Sequence, residues 1–394
     1  MKINKSGILG LYIFAVSPVF CLPLVFFQLR RRVDAGICLL VGGVFGVLSY
    51  KYIPHFSDDK ARYLERYELF SGFSMDDLYS YFLKTIRPDY LFDLMNFAFA
   101  KLGLGADSFF FLVSFFTVSS YLYFVRAVFK SVNPGAAYTN FALFLVVLSL
   151  SLPNVFSGVR FLFAGGFFVW FFYYVFFNRR LLFALAFLSV SVMLHFSYIY
   201  LAFAVLLAFI FPGLAFARVL LIVSFAFFLV PRDVVIWLLQ LFSFSAGQQS
   251  KVELYASMQL DVTNSWVILE HIRNAWFYFA CVFLLFYRPL DGDKVFVPVV
   301  VIAAFVNFVF PISVAYSRYA VFLKVLFTAF LLLESFSDKR KKAVLFMFML
   351  FFILGYLADL IVLRENLLQS YSFFEIATLA SILSTGASES TFLY

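Results

Sequence analysis

The chain has 394 residues, is 64% hydrophobic and 13% charged, and contains 61 Phe and 23 Tyr. A soluble domain carries about twice that charged fraction, so the composition excludes a water-soluble globular protein and points to a polytopic helical membrane protein. The net charge of +8 does not indicate nucleic acid, because Lys and Arg fall in short loops between apolar runs, where they set topology.

The N-terminus "MKINKSGILGLYIFAVSPVF" has a short basic start and an apolar stretch with no clean cleavage site before "QLRRR". It is therefore read as a first helix that stays in place. Apolar segments follow at about 35–53, 107–125, 137–153, 159–177, 181–195, 197–211, 217–230, 266–287, 295–312, 319–335 and 343–363, after the first at about 8–27. Since a bilayer core of about 30 Å takes roughly 20 residues per helix, the expected fold is all-α. It is a single transmembrane domain over 1–394 with about 12 transmembrane helices (11–13), one short re-entrant or interfacial segment and two larger outer-face loops.

The basic loops are Arg30-Arg31-Arg32, Arg126 with Lys130, Arg179-Arg180 and Lys339-Arg340-Lys341-Lys342. Placing them inside puts 55–88, 154–158, the His195 turn, 231–265 and the stretch around Pro311 outside. The run 181–211 holds no Lys, Arg, Asp or Glu and is too long for one ordinary helix. With basic residues at both ends (Arg179-Arg180 and Arg218), it reads as a hairpin of two short helices turning near His195. "YLFDLMNFAFAKLGLG" (90–105) is apolar but short, and alternation admits it only as a re-entrant or interfacial helix, which needs protein or a wet cavity around its end. The first outer loop, 55–88, is rich in Asp, Arg and Tyr. The second, 231–265, opens with "PRDVVIWLLQLF", which reads as a helix lying in the interface. The tail, 364–394, is expected to lie along the surface or fray. Cys21, Cys38 and Cys281 are far apart in sequence and read as packed thiols.

Ionisable residues at membrane depth are costly and usually face a pocket. His55, His195 and His271 all map outside, with Asp58, Asp59, Arg62, Arg87, Arg160, Glu270, Arg273 and Arg318. His195 is either a helix-end histidine bonded to a carbonyl, or a group suited to proton transfer near neutral pH. Arg160, in "PNVFSGVRFLFAGGFF", and Arg318, in "FPISVAYSRYAVFL" with Tyr316 and Tyr319 beside it, each sit at a broken helix entry. They either snorkel to head groups or grip phosphate with a planar fork. Glu270, Arg273 and Asn274 share one helical face, so Glu270 and Arg273 are expected to pair. Lys324, about 9 Å deeper than Arg318 along a helix, is expected to pair with a buried acid such as Asp359. "SDDKARY" offers the carboxylates Asp58 and Asp59 with Arg62 behind them. Such a pair binds Mg²⁺ chiefly when substrate phosphates are present, and a solvated loop is the simpler reading. No GxGxxG, P-loop, HExxH or GxSxG stands in a fitting context, so no cofactor is expected.

Taken in order, "DDKARYLERY", "RPDYLFDLMNFAFAKLGLG", "GVRFLFAGGFFVWFFYYVFFNRRLLFALAFLSVSVMLHFSYIYLA" and "SRYAVFL" resemble the EpsG-type and Wzy-type family of bacterial polysaccharide polymerases over roughly residues 50–335. The arginine-helix, basic-turn, helix-His module carries most of the likeness. The sequence departs from the family's usual glycine–aspartate entry ("HFSDD" here) and has Asp89 where a glutamate is common. The resemblance implies an enzyme of the inner membrane, active at its periplasmic face. It would join oligosaccharide repeat units carried on undecaprenyl pyrophosphate into O-antigen, capsule or exopolysaccharide. Arg160 and Arg318 would hold the pyrophosphate, and His195 would orient or deprotonate the acceptor hydroxyl. Arg87 or Arg273 would assist the second lipid, and loop tyrosines would meet sugars. No metal is required, since arginines can neutralise the leaving group, and there is room for a chain-length regulator as partner. Three other readings remain open: an O-antigen ligase, a membrane O-acyltransferase, and a transporter or flippase for lipid-linked oligosaccharides. The transporter predicts internal pseudo-symmetry that the sequence does not display.

Overall fold

Apolar runs in lipid can satisfy their backbone groups only within themselves or in closed barrels, and every regular element among the described residues is a helix. The structure, a computed structural model, describes residues 35–56, 58–85, 89–130, 136–241, 264–289, 295–337 and 342–370, with isolated positions 12–14, 16 and 249. Most of the expected first helix and of the second outer loop lies outside these residues.

The chain begins with α1 (Ala35–Lys51) and then folds over one end of the bundle as α2 (Asp59–Gly72), α3 (Met75–Thr85) and α4 (Leu91–Lys101). It enters the bundle through α5 (Ala106–Lys130) and α6 (Ala136–Ser149), turns through the short α7 (Leu152–Phe156), and runs back along α8 (Val159–Tyr173) to the Arg179-Arg180 turn. The hairpin follows as α9 (Leu181–Leu194) and α10 (Tyr198–Ile210), then α11 (Leu214–Ser224), α12 (Arg232–Leu241) and α13 (Asn264–Phe286). The last elements are α14 (Phe296–Phe308), α15 (Ser313–Ser337), α16 (Lys342–Val362) and α17 (Arg364–Ser370). α14 and α15 form the centre and are buried along nearly their whole described length.

Among the described residues, five helices are long and apolar enough to cross a membrane: Ala106–Phe129, Val159–Asn178, Ile268–Phe286, Ser313–Glu334 and Lys342–Val362. Five shorter apolar helices join them, and together they make a multi-pass membrane protein. The expected count of about 12 transmembrane helices is not confirmed among the described residues, which leave out most of the first segment. Two of the helices are cut short by local breaks. The β-region backbone of His195 ends α9, and Pro212 stops α10, which precedes it. Helices of 14 and 13 residues extend roughly 20 Å, short of a core of about 30 Å. The hairpin itself forms as expected, with its turn at His195.

Three further segments are described in part. Residues 58–63, read as part of a solvated loop, instead open α2 with Lys60, Ala61 and Tyr63 buried, and α2 and α3 close on a cluster of Phe70, Leu78 and Phe97, with Phe73, Tyr81 and Phe82 around it. The short 90–105 segment is α4, whose 11 residues reach only about 16 Å and do not span. The first part of the tail is held, because α17 grips Ile53: the Ile53 N–H donates to Ser370 Oγ at 2.8 Å and Asn366 Nδ2 donates to the Ile53 carbonyl at 3.3 Å.

Three helices run between a basic turn and a residue of the charged groups described below. α8 runs from Arg160 to Arg179-Arg180, α9 from Arg180 to His195, and α16 from Lys342 to Asp359. The mixed-charge residues therefore gather at one end of the bundle.

Candidate functional site

Residues 55–60 set the site by dividing their side chains between scaffold and opening. Asp58 Oδ2 accepts from the His55 N–H at 3.0 Å and the Tyr52 hydroxyl at 3.1 Å, closing the turn into α2. Burial pushes the Asp58 carboxyl above the usual range, and these hydrogen bonds pull it back in part. Lys60 Nζ, fully buried, donates to the Ser49 and Tyr52 carbonyls at 2.7 Å each. It thereby satisfies carbonyls at the C-terminal end of α1 that have no intrahelical donor. Burial lowers its amine to about 8. Asp58 and Lys60 thus hold α2 in place.

The other face of α2 carries Asp59, Arg62, Tyr63 and Arg66, at i, i+3, i+4 and i+7, and so on one side of the helix. Asp59 accepts from Arg62 and from Arg318 Nη2, the latter at 2.8 Å. Arg66 Nη1 donates to Asp93 Oδ1 of α4 at 3.0 Å. Arg160, in the first turn of α8, stands 3.4 Å from Asp89. The Tyr63 ring lies between the two guanidiniums, 5.4 Å from Arg66 and 5.8 Å from Arg160, and packs on Phe92 at 4.8 Å. Four arginines therefore meet three carboxylates. Arg160 Nε and Nη1 are buried and make no hydrogen bond among the described residues.

His195 joins this cluster through its neighbours. Its Nδ1 lies 2.6 Å from Ser197 Oγ, and its ring stands edge-on to Phe161, which follows Arg160, at 5.3 Å. The Tyr319 hydroxyl, one residue after Arg318, donates to the Ser197 carbonyl at 3.1 Å. The bland reading of a histidine tied to a carbonyl does not describe the Nδ1 contact, which is to a hydroxyl.

α8 is fixed by side chains that donate to its backbone. Tyr198 reaches the Phe161 carbonyl at 3.0 Å, Tyr121 the Leu162 carbonyl at 3.4 Å, and Ser191 the Ala164 carbonyl at 2.9 Å. The two tyrosines fit because residue 165 is glycine: a Cβ there would lie 2.1 Å from Tyr121 Oη and 2.3 Å from Tyr198 Oη.

A second charged group lies on the far side of the α15 entry. Arg273 Nη2 donates to Ser317 Oγ at 2.6 Å, and its Nη1 is 3.8 Å from Asp359. Asp359 Oδ2 accepts from the Leu152 N–H at 3.1 Å. The expected Glu270–Arg273 pair is replaced by this contact, since α16 offers the buried carboxylate. The expected Lys324–Asp359 pair is no direct contact either: Lys324 Nζ sits 4.8 Å over the Phe352 ring. Tyr316 packs between Phe277 and Phe310, at 5.5 and 5.0 Å. Arg87 lies outside the described residues.

Of the residues singled out from sequence, Asp59, Arg62, Arg160, Arg318, Tyr319 and His195 are thus brought to one place, and Arg273 to a neighbouring one. Asp58 serves the scaffold. Sequence reasoning overlooked Tyr63, Arg66, Asp93 and Ser197. Reading 59–66 as a helix would have found the first two by spacing alone.

A family model described as the EpsG family matches residues 35–373. No curated protein and no solved structure matches the chain. The matched span runs from α1 past α17 and takes in every residue of both charged groups, and the chain belongs to the EpsG family.

Proposed function

We propose that this protein is a polysaccharide polymerase that transfers a growing glycan from a lipid pyrophosphate, undecaprenyl pyrophosphate, to a sugar hydroxyl of the next lipid-linked repeat unit. The single observation that carries the reading is the cationic excess around Tyr63. Among the described residues, Arg62, Arg66, Arg160 and Arg318 gather around Tyr63 with Asp59, Asp89 and Asp93, and two buried N–H groups of Arg160 make no hydrogen bond there. A site so arranged suits a phosphate-bearing ligand. Membership of the EpsG family supports the same chemistry, and the apolar helices beside the site suit a long lipid tail. The site end of the bundle is read as the periplasmic face of a bacterial inner membrane, because the basic turns lie at the other end.

In this mechanism the acceptor hydroxyl oxygen attacks the anomeric carbon of the donor's lipid-proximal sugar. The bond from that carbon to the pyrophosphate oxygen breaks, and the electron pair leaves with the lipid pyrophosphate. The hydroxyl proton passes to the His195 imidazole, whose ring plane Ser197 fixes. Arg160 and Arg318 meet the charge that develops on the leaving oxygen, a role in which one lost donor costs about 100- to 1,000-fold in rate.

The test is surface-polysaccharide length on a gel, in a deletion strain carrying wild type, Arg160→Ala, His195→Ala or Arg318→Ala at matched expression. Single-unit caps in place of a ladder are expected for all three variants. Ladders that persist in all three would overturn the site. Long lipid-linked chains that accumulate without reaching their final acceptor would make the protein a ligase.

A further inference from the structure

The second charged group does not balance. Lys324 is only 6% exposed; among the described residues its ammonium makes no hydrogen bond or ion pair, lies 4.8 Å over the Phe352 ring and feels the charges of Asp359 and Arg273. Arg273 spends one nitrogen on Ser317 and one, at 3.8 Å, on Asp359, while its Nε is buried without a partner. Asp359 Oδ1 makes no hydrogen bond. Glu270 does not make up the deficit, since among the described residues no cation lies within ion-pair distance of it. Two cations and one carboxylate are thus enclosed by α13, α15 and α16, with the buried Arg273 Nε unused. A buried cation without a counter-charge is costly, and buried donors are ordinarily satisfied.

Gly355 of α16 completes the arrangement. A Cβ there would stand 3.3 Å from the Arg273 carbonyl oxygen, so the glycine lets α16 approach the α13 backbone closely, and the Lys324 amine lies beside it, 3.5 Å from the same Cβ position. The group is also coupled to the site above. Ser317, held by Arg273, precedes Arg318, and Lys324 lies about 9 Å further along the same helix.

We propose that Arg273, Lys324 and Asp359 form a second anion site, built for a phosphate group. A phosphate accepts from the guanidinium fork and the ammonium together. Assigning that phosphate to the second lipid-linked substrate rests on the polymerase reading; the anion site does not.

The experiment counts anions bound by the full-length protein, stripped of lipid in a neutral detergent, using a short-chain prenyl phosphate and, separately, inorganic phosphate. Wild type is expected to bind two equivalents of prenyl phosphate. Lys324→Met is expected to bind one, Lys324→Arg two, and Arg318→Ala one. Lys324→Met removes an unpaired buried charge, so it is expected to melt no lower than wild type, and added prenyl phosphate is expected to stabilise it less. A Lys324-dependent equivalent seen with inorganic phosphate as well makes free phosphate sufficient, whereas one seen only with prenyl phosphate makes the ligand a lipid head group. Two equivalents retained by Lys324→Met would overturn the proposal, as would a single equivalent in wild type that Arg318→Ala abolishes. Polysaccharide ladders judge the polymerase reading separately: ladders can fail while both anions bind, and binding can fail while ladders form.

Discussion

Gly165→Ala is the sharpest test of how the fold holds Arg160. The new Cβ would stand 2.1 Å from Tyr121 Oη and 2.3 Å from Tyr198 Oη. Neither ring has room to swing aside, since both are fully buried and Tyr198 is wedged between Phe161 at 4.9 Å and Phe168 at 5.0 Å. Accommodating the methyl therefore breaks the hydroxyl bonds to the Phe161 and Leu162 carbonyls, or pushes α8 away. Two buried hydrogen bonds left unmade cost about 1–2 kcal/mol each. Overpacking adds about 1–3 kcal/mol, for a total of about 3–7 kcal/mol. Thermal unfolding of the purified variant in detergent would show a large drop in Tm. Trimming the hydroxyls makes room, because Tyr121 Cζ is already 3.3 Å from the new Cβ position. Gly165→Ala placed on Tyr121→Phe and Tyr198→Phe should thus cost well under half as much as it does alone. A Gly165→Ala protein as stable as wild type, or an equal cost in both backgrounds, would refute the packing argument.

Arg66→Gln strips the buried Asp93 carboxylate of its 3.0 Å partner. Breaking a buried pair costs about 3–5 kcal/mol, and the partial exposure of Arg66 reduces that to about 2–3 kcal/mol. Adding Asp93→Asn should restore most of the lost Tm, and no recovery would contradict the pairing. Lys60 gives a pH dependence: its amine titrates near 8 in the fold against 10.5 when free. Between those values the unfolded chain binds more protons, so stability rises with pH across that window. The shift amounts to about 3 kcal/mol, all of it a penalty below the folded value. Wild type should therefore gain on Lys60→Met as pH rises from about 7 to 10, and a difference flat in pH would contradict this. Ser197→Ala removes the 2.6 Å partner of His195 Nδ1 and loosens the ring for about 1 kcal/mol. Polymerisation should fall several-fold at unchanged protein level while Ser197→Thr retains it, and full activity in Ser197→Ala would remove Ser197 from the site.

Much of this architecture was legible because it is local. The α9–α10 hairpin follows from 31 uncharged residues with basic residues at both ends, and its turn falls at the one histidine. Arg160 and Arg318 were found because Pro153, Gly158 and Pro311 break the chain just before them. The outer helices were missed for a physical reason: "DDKARYLERYELF" is too polar for a hydropathy window, and its helical face appears only when Asp59, Arg62, Tyr63 and Arg66 are placed at 3.6 residues per turn. The pairings were not legible at all. Arg318 meets Asp59 across 259 positions, and Asp359 takes Arg273 from Glu270 because α16 packs on α13. Those choices are made by tertiary packing, which no spacing along the chain encodes.

The most direct test of the central claim uses the purified protein in nanodiscs supplied only with lipid-linked repeat units. The account predicts two-unit and longer lipid-linked products, with one lipid pyrophosphate released per bond formed, and loss of both in Arg318→Ala. Elongation that requires an added nucleotide sugar, or products whose lipid pyrophosphate release does not match the bonds formed, would contradict it.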